Sequence, residues 1–269
     1  MATLRILKKS YVCKQKCTTM ASGRTVGKFK ISRFDPDTAF QKPFNMVLLG
    51  KKATGKSTLM KDIMYHLYKQ GYPRVVVFSG TEQTNHFFSD HVPSVYIHND
   101  LDLEVLSNVI DTQKQVVAAV KSTELKLDKP CGVDTRILIV LDDVVYQRGI
   151  LANNIFRFIF FQGRHNNISL LLASQYLMYV PVEQRANIDF LVCMKENIPK
   201  NRYKLYESFF GCFEDRATFS YVLDQLTQNY EVCILDNTGT DLSPEHCVRW
   251  YKAELNVPQF KFNKLLCSR

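Results

Sequence analysis

Along this chain, short runs that are almost wholly apolar alternate with longer stretches in which apolar residues recur every three or four positions. The short runs are Met46 to Leu49, Arg74 to Ser79, Arg136 to Leu141, Ser169 to Ala173, Phe190 to Met194 and Glu231 to Asp236, with Ser94 to His98 as a further candidate. Each has the length of a strand. From Ser57 to Gln70, the residues Leu59, Met60, Ile63, Met64 and Leu67 share one helical face, and Gly71-Tyr72-Pro73 ends that helix. Further helices are predicted over 101–120, 151–162, 200–210 and 215–227, with a loop at 126–131. Strands apolar on both faces and separated by helices predict an α/β fold, a doubly wound, mostly parallel sheet flanked by helices. Ahead of it, alternation from Lys28 to Phe34 predicts a short strand, followed by the turn residues Asp35-Pro36-Asp37.

Charge divides the chain further. The formal net charge is +9: residues 1–45 hold ten Lys/Arg against two acids and residues 248–269 hold five against one, whereas residues 46–247 hold 20 against 23. We therefore divide the chain into a basic N-terminal extension (1–43), a nucleotide-binding domain (44–247) and a basic C-terminal tail (248–269). Basic arms on a near-neutral core suit a polyanion, nucleic acid first, with an anionic membrane surface or a merely solvated tail as alternatives. No apolar run reaches the roughly 20 residues of a membrane span, which predicts a soluble, intracellular chain. Eight cysteines occur without C-x-x-C spacing, Cys13 and Cys17 being the nearest pair, so reduced thiols are expected rather than a zinc site.

The chemistry starts where the first apolar run ends. Gly50-Lys51-Lys52-Ala53-Thr54-Gly55-Lys56-Ser57-Thr58 matches G-x-x-x-x-G-K-[ST], with a strand before it and a helix after it. In such a loop, backbone N–H groups and the helix N-terminus surround phosphates, Lys56 reaches the β- and γ-phosphates, and the Ser57 hydroxyl ligates Mg²⁺. The expected ligands are ATP and Mg²⁺. A second apolar strand ends in Asp142-Asp143. A carboxylate at the carboxyl end of a strand facing the phosphate loop suits Mg²⁺, the role given to Asp142, and Asp143 can polarise the attacking water. A third strand ends at Gln175, a position able to sense the γ-phosphate or orient water. Thr81-Glu82 ends a fourth, and the basic stretch 195–204 suits either a DNA channel or a solvated loop. Phe156, Phe158, Phe160 and Phe161 are expected in the core or at a subunit interface.

Together with Gly163-Arg164-His165, the strand 168–175 and Arg185-Ala-Asn-Ile-Asp189, these motifs resemble the FtsK–HerA superfamily of ring ATPases. Within it they are most similar to the poxvirus-type genome-packaging ATPases of large eukaryotic DNA viruses. The resemblance covers residues 44–195. It implies a P-loop, RecA-like core in a homo-oligomeric ring, pentameric or hexameric, that hydrolyses ATP to drive double-stranded DNA into a preformed capsid. It implies a packaging vertex as partner and the host cytoplasm at virus assembly sites as location, with or without retention in the virion. Lys56, Ser57 and Asp142 match the family's ATP and Mg²⁺ positions, Asp143 follows the metal-binding Asp where many members carry Glu, and Gln175 matches the polar sensor. Arg164, with Arg185 second, is the candidate arginine acting on a neighbouring subunit's γ-phosphate. The competing expectation is a P-loop nucleoside or nucleotide kinase using 195–204 as a phosphate lid. A nucleotide-gated scaffold is a third.

Overall fold

A computed structural model describes residues 23–145, 147 and 149–262. In chain order the elements are β1 (Arg24–Val26), β2 (Phe29–Arg33), α1 (Pro36–Ala39), β3 (Asn45–Leu49), α2 (Lys56–Lys69), β4 (Arg74–Ser79), α3 (Glu82–Asn85), β5 (Ile97–His98), α4 (Leu103–Leu127) and β6 (Ile137–Asp142). Then follow α5 (Asn154–Gln162), β7 (Ile168–Ser174), α6 (Val182–Arg185), β8 (Phe190–Cys193), α7 (Pro199–Phe209), α8 (Arg216–Leu226), β9 (Glu231–Asp236), α9 (Pro244–Cys247) and β10 (Val248–Lys252).

The ten strands form one sheet in the order β1-β2-β10-β9-β8-β3-β7-β6-β4-β5. From β8 to β5 every pairing is parallel. Beyond β8 the direction changes, because β9 runs antiparallel to both β8 and β10, and β1 antiparallel to β2. The expected mostly parallel, helix-flanked α/β sheet is what the chain forms. Its edges cross the boundaries drawn from charge, since β1, β2 and β10 come from the stretches assigned to extension and tail.

The two-residue period of a strand explains why its apolar runs are continuous. In β3, Val47 and Leu49 enter one core, and Met46 and Leu48 the other. The first core is roofed by α4, α5, α7 and α8, through residues such as Ile110, Phe156, Leu205 and Phe219. The second is roofed by α2, whose Leu59, Met60, Ile63, Met64 and Leu67 are all buried. Phe156 and Phe160 are fully buried, as expected of core residues, while Phe161 is exposed. Phe158 lies partly buried with the Lys114 ammonium 4.3 Å from its ring centre.

Three differences from the sequence expectation have local causes. Helix α4 runs on to Leu127 through a stretch expected partly as loop; its last turns are mostly exposed, so helix propensity and the N-cap of Asp102 carry it rather than an apolar face. The 94–98 run keeps only two strand residues, Ile97 and His98, because Ser94–Tyr96 form a 3₁₀ turn. Strand β10 sits in the basic tail, pairing with β9 and β2 while Tyr251 Oη donates to buried Asp62 of α2 at 2.5 Å. Two described basic residues of the N-terminal stretch are tied down as well. Arg24 makes a two-point pair with Glu231 and lies over Trp250, and Lys28 pairs with Glu214. The other basic residues of that stretch up to position 22, with Cys13 and Cys17, lie outside the described residues.

Candidate active site

Because β3, β6 and β7 are parallel neighbours, their carboxyl ends emerge together. The register Leu49↔Ser174 and Asp142↔Ala173 sets Gly50, Asp142 and Gln175 on one rim. The loop 50–55 leaves β3 there and enters α2 at Lys56. A Cβ on Gly50 would stand 2.5 Å from Met194 Sδ and 2.6 Å from Thr54 Oγ1, so any side chain there has to push both aside. Gly55, the N-cap, has φ 93°, in the left-handed region. Thr54 Oγ1 closes the loop by donating to the Lys51 carbonyl at 2.8 Å. The Lys51 ammonium turns away to Glu196, 2.8 Å distant. Burial pushes Glu196 up, yet hydrogen bonds from Lys51, Ile198 N and Asn201 hold it below the usual carboxylate range. Lys52, Ala53 and Ser57 are exposed around the mouth, and Thr58 is half-buried behind Ser57.

Lys56 is buried, donates to the Gly50 carbonyl at 2.6 Å, and lies 3.9 Å from Asp143 Oδ1. Asp142 is buried at the end of β6, where Ser79 Oγ donates to its Oδ2 at 3.3 Å. Burial first, and then repulsion from Asp143, push its carboxyl up to about 6. An ionised carboxylate so poorly compensated is a good seat for a cation. No cluster of three or more His, Cys, Asp and Glu suited to a metal occurs among the described residues. The Ser57 hydroxyl and the Asp142 carboxylate are hard oxygen donors of the kind that suit Mg²⁺, which commonly takes further oxygens from phosphates and water. Asp143 itself sits at φ 51°, in the left-handed region that aspartate and asparagine enter more readily than most residues, and accepts from Gln175 Nε2 at 3.3 Å. Asp143 and Gln175, with Lys52, Thr81, Ser174 and Tyr176, line an open cleft of about 510 Å³.

Other expected residues lie elsewhere. Glu82 is buried and committed to the backbone, both carboxylate oxygens accepting N–H groups, Phe88 N at 2.8 Å and Ser89 N at 2.9 Å, though its charge still adds to the repulsion on Asp142. Arg164 precedes β7 and pairs with Asp189, which in turn accepts from Asn45 N at 2.7 Å. This is the amino end of the parallel strands, the end opposite the phosphate loop of the same chain. Arg185 donates to the Val180 carbonyl at 3.0 Å and to Ser208 Oγ at 3.3 Å, with no carboxylate partner among the described residues. Burial pushes its guanidinium below its ordinary value. The basic stretch 195–204 is no free lid, because it opens α7, Arg202 pairs with Asp224, and Lys204 Nζ donates to Tyr176 Oη at 2.6 Å. Ser79 was missed from sequence. Its signal was a polar residue ending an apolar run beside the Asp142 strand, with the register Ser79↔Asp142.

Comparison with known proteins adds relatives. The family model described as "Poxvirus A32 protein" matches residues 31–238. An uncharacterized protein, L437, of Acanthamoeba polyphaga mimivirus is 27% identical over 230 residues, 84% of this chain and 78% of that protein. The DNA packaging protein OPG160 of vaccinia virus (strain Copenhagen) is 24% identical over 163 residues, 60% of this chain and 56% of that protein. The genome packaging NTPase B204 of Sulfolobus turreted icosahedral virus 2, solved with ATP-gammaS, superposes with a TM-score of 0.51 at 15% identity, covering 81% of this chain and 98% of that one.

Proposed function

This chain belongs to the Poxvirus A32 protein family and is a viral DNA-packaging ATPase, and from that premise we propose that it drives double-stranded DNA into a preformed capsid as a Mg²⁺-dependent ring motor. The observation that supports this reading best is the gathering of the phosphate loop, Lys56, Asp142, Asp143 and Gln175 on one rim, with the Lys56 ammonium 3.9 Å from Asp143. The mechanism follows from charge. The loop N–H groups and Lys56 hold the β- and γ-phosphates, so Lys56 exchanges its contact with the Gly50 carbonyl for a phosphate oxygen. Ser57 and Asp142 would hold Mg²⁺, which when bound would neutralise charge on the phosphates. Asp143, oriented by Gln175, accepts the proton of the attacking water and fixes its line of approach. The left-handed backbone at Asp143 turns that carboxylate out of the strand and towards the cleft.

An arginine from a neighbouring subunit completes the site. Arg164 is our first candidate, and its position at the far end of its own sheet agrees with action on another chain's nucleotide; Arg185 is the second. We further assign DNA and a capsid vertex as partners and virus assembly sites in the cytoplasm as location. Among the described residues no helix is long and apolar enough to cross a membrane. The test is steady-state ATP hydrolysis with and without long double-stranded DNA over a salt series. Stimulation by DNA that fades as salt rises is the expected result. Turnover that ignores DNA but rises with a nucleoside or nucleotide acceptor would replace the motor with a kinase.

A further inference from the structure

Beside the phosphate loop, the turn from α8 into β9 carries a residue that its own backbone does not favour. Between α8 and β9, Glu231 N donates to the Gln228 carbonyl at 2.9 Å, closing a four-residue turn around Asn229 and Tyr230. Both central residues have positive φ, 52° and 62°. That is the pattern of a type I′ turn, whose default sequence is Asn-Gly. Asparagine is at home in the first position. Tyrosine in the second is the wrong residue for the backbone, because a bulky side chain at positive φ meets its own carbonyl. Its ring is also not used for burial: Tyr230 is 71% exposed. The ring stands beside the phosphate loop, its Cδ1 3.4 Å from where a Cβ on Gly55 would stand.

The sheet order fixes what that position is for. On one side of β3 lie β7 and β6, bearing Gln175, Asp142 and Asp143, so the γ-phosphate end of a nucleotide points that way. On the other side lie β8 and β9, and the nucleoside end must leave over them, beside the first turn of α2. Tyr230 stands at the start of β9, next to Gly55, on that path. We propose that Tyr230 is the base platform of the nucleotide site, its exposed ring face stacking the purine. This inference rests on the ATPase reading and adds to it the residue that recognises the nucleoside. Stacking on a single ring is indifferent to the groups on the base, so Tyr230 supplies affinity for purine nucleotides rather than choice of adenine over guanine.

The test is calorimetric binding of ADP and of inorganic pyrophosphate to the purified full chain and its variants. Tyr230→Gly suits the turn, so its melting temperature stays level or rises, while ADP binding weakens on the order of tenfold. Pyrophosphate binding stays unchanged. Tyr230→Asn, which also tolerates positive φ, gives the same loss, and Tyr230→Phe keeps wild-type affinity. ADP affinity untouched in Tyr230→Gly overturns the platform, as does an equal loss for ADP and pyrophosphate, which would mean that the ring only shapes the loop. A wild-type chain that binds neither ADP nor ATP overturns the platform and the ATPase reading together, so the two failures are told apart.

Discussion

The two ends of the parallel strands treat polar side chains in opposite ways. At the amino end three arginines each have an acceptor. Arg164 pairs with Asp189, Arg136 with Asp134 at 2.6 Å, and Arg74 donates to the Thr135 carbonyl at 2.8 Å. Gln113 fills in below them, donating to the Thr135 and Asn166 carbonyls, and Tyr72 Oη lies 2.9 Å from Ser169 Oγ. At the carboxyl end the balance is left open. Asp142 is buried against Asp143 with one weak hydroxyl contact, Lys56 makes do with a carbonyl, and Ala53, Gly55 and Asp143 hold positive φ. Polar groups that satisfy one another hold the fold together. Groups left in want of a partner at a shared rim are waiting for one that is not protein.

The sharpest way to break this contrast is at Lys56. Lys56→Ala should cut steady-state ATP turnover at least a hundredfold, because the phosphates lose a buried charge-assisted donor, and the melting temperature should hardly move. Asp143→Ala should follow, retaining ATP in a binding assay while turnover drops about a hundredfold, the scale of a lost proton acceptor. Full turnover in that variant would remove Asp143 from the mechanism, and Glu82 would not replace it, being committed to two backbone N–H groups.

Asp142→Asn tests both halves of the contrast at once, because turnover should vanish while stability rises. A carboxyl moved from 3.8 to about 6 on folding costs on the order of 3 kcal/mol once ionised. The sign is fixed by the raised folded value: the wild type loses stability as pH climbs from about 4 through about 6. The asparagine variant should show no such fall, so urea titrations of the two should diverge across that window. A stability gap that stays constant from pH 4 to 7 would deny the burial argument.

At the other end the expected effects are smaller and fall on stability. Arg164→Ala should cost about 1–2 kcal/mol in chemical denaturation, since it leaves Asp189 buried with its backbone donor alone. If Arg164 also serves a neighbour, Arg164→Ala subunits mixed with Lys56→Ala subunits should regain part of the turnover that each lacks alone. Mixed assemblies without recovery would leave Arg164 to its ion pair. Smallest of all, Tyr72→Phe should lose about 1 kcal/mol of stability for a missing buried hydrogen bond, with turnover unchanged.

The interior of the fold was legible because burial on both faces writes itself as unbroken apolar runs, and six of these became β3, β4, β6, β7, β8 and β9. The edges were not. Strand β10, Val-Arg-Trp-Tyr-Lys, is only partly buried, and β1 is three residues with one buried, so neither leaves a pattern stronger than that of a basic tail. The phosphate loop was legible because its chemistry is local: the consecutive residues 50–57 make most of the cage. Arg164 was placed by motif order, and motif order does not say at which end of a strand a residue stands. Tyr230 was invisible for a related reason. Asn-Tyr before a strand looks ordinary until the turn is seen to require positive φ at both.

The sheet also stops abruptly at both sides. Strand β5 offers two residues and β1 three, and these are its outermost described strands. Edges that short cannot template a neighbour's strand. In the ring proposed above, contacts between copies at these described edges would fall to side chains rather than to a shared ladder of backbone hydrogen bonds. A seam of side chains could slip and close again without tearing a backbone ladder, which would suit the proposed motor if its subunits shift against each other at every turnover.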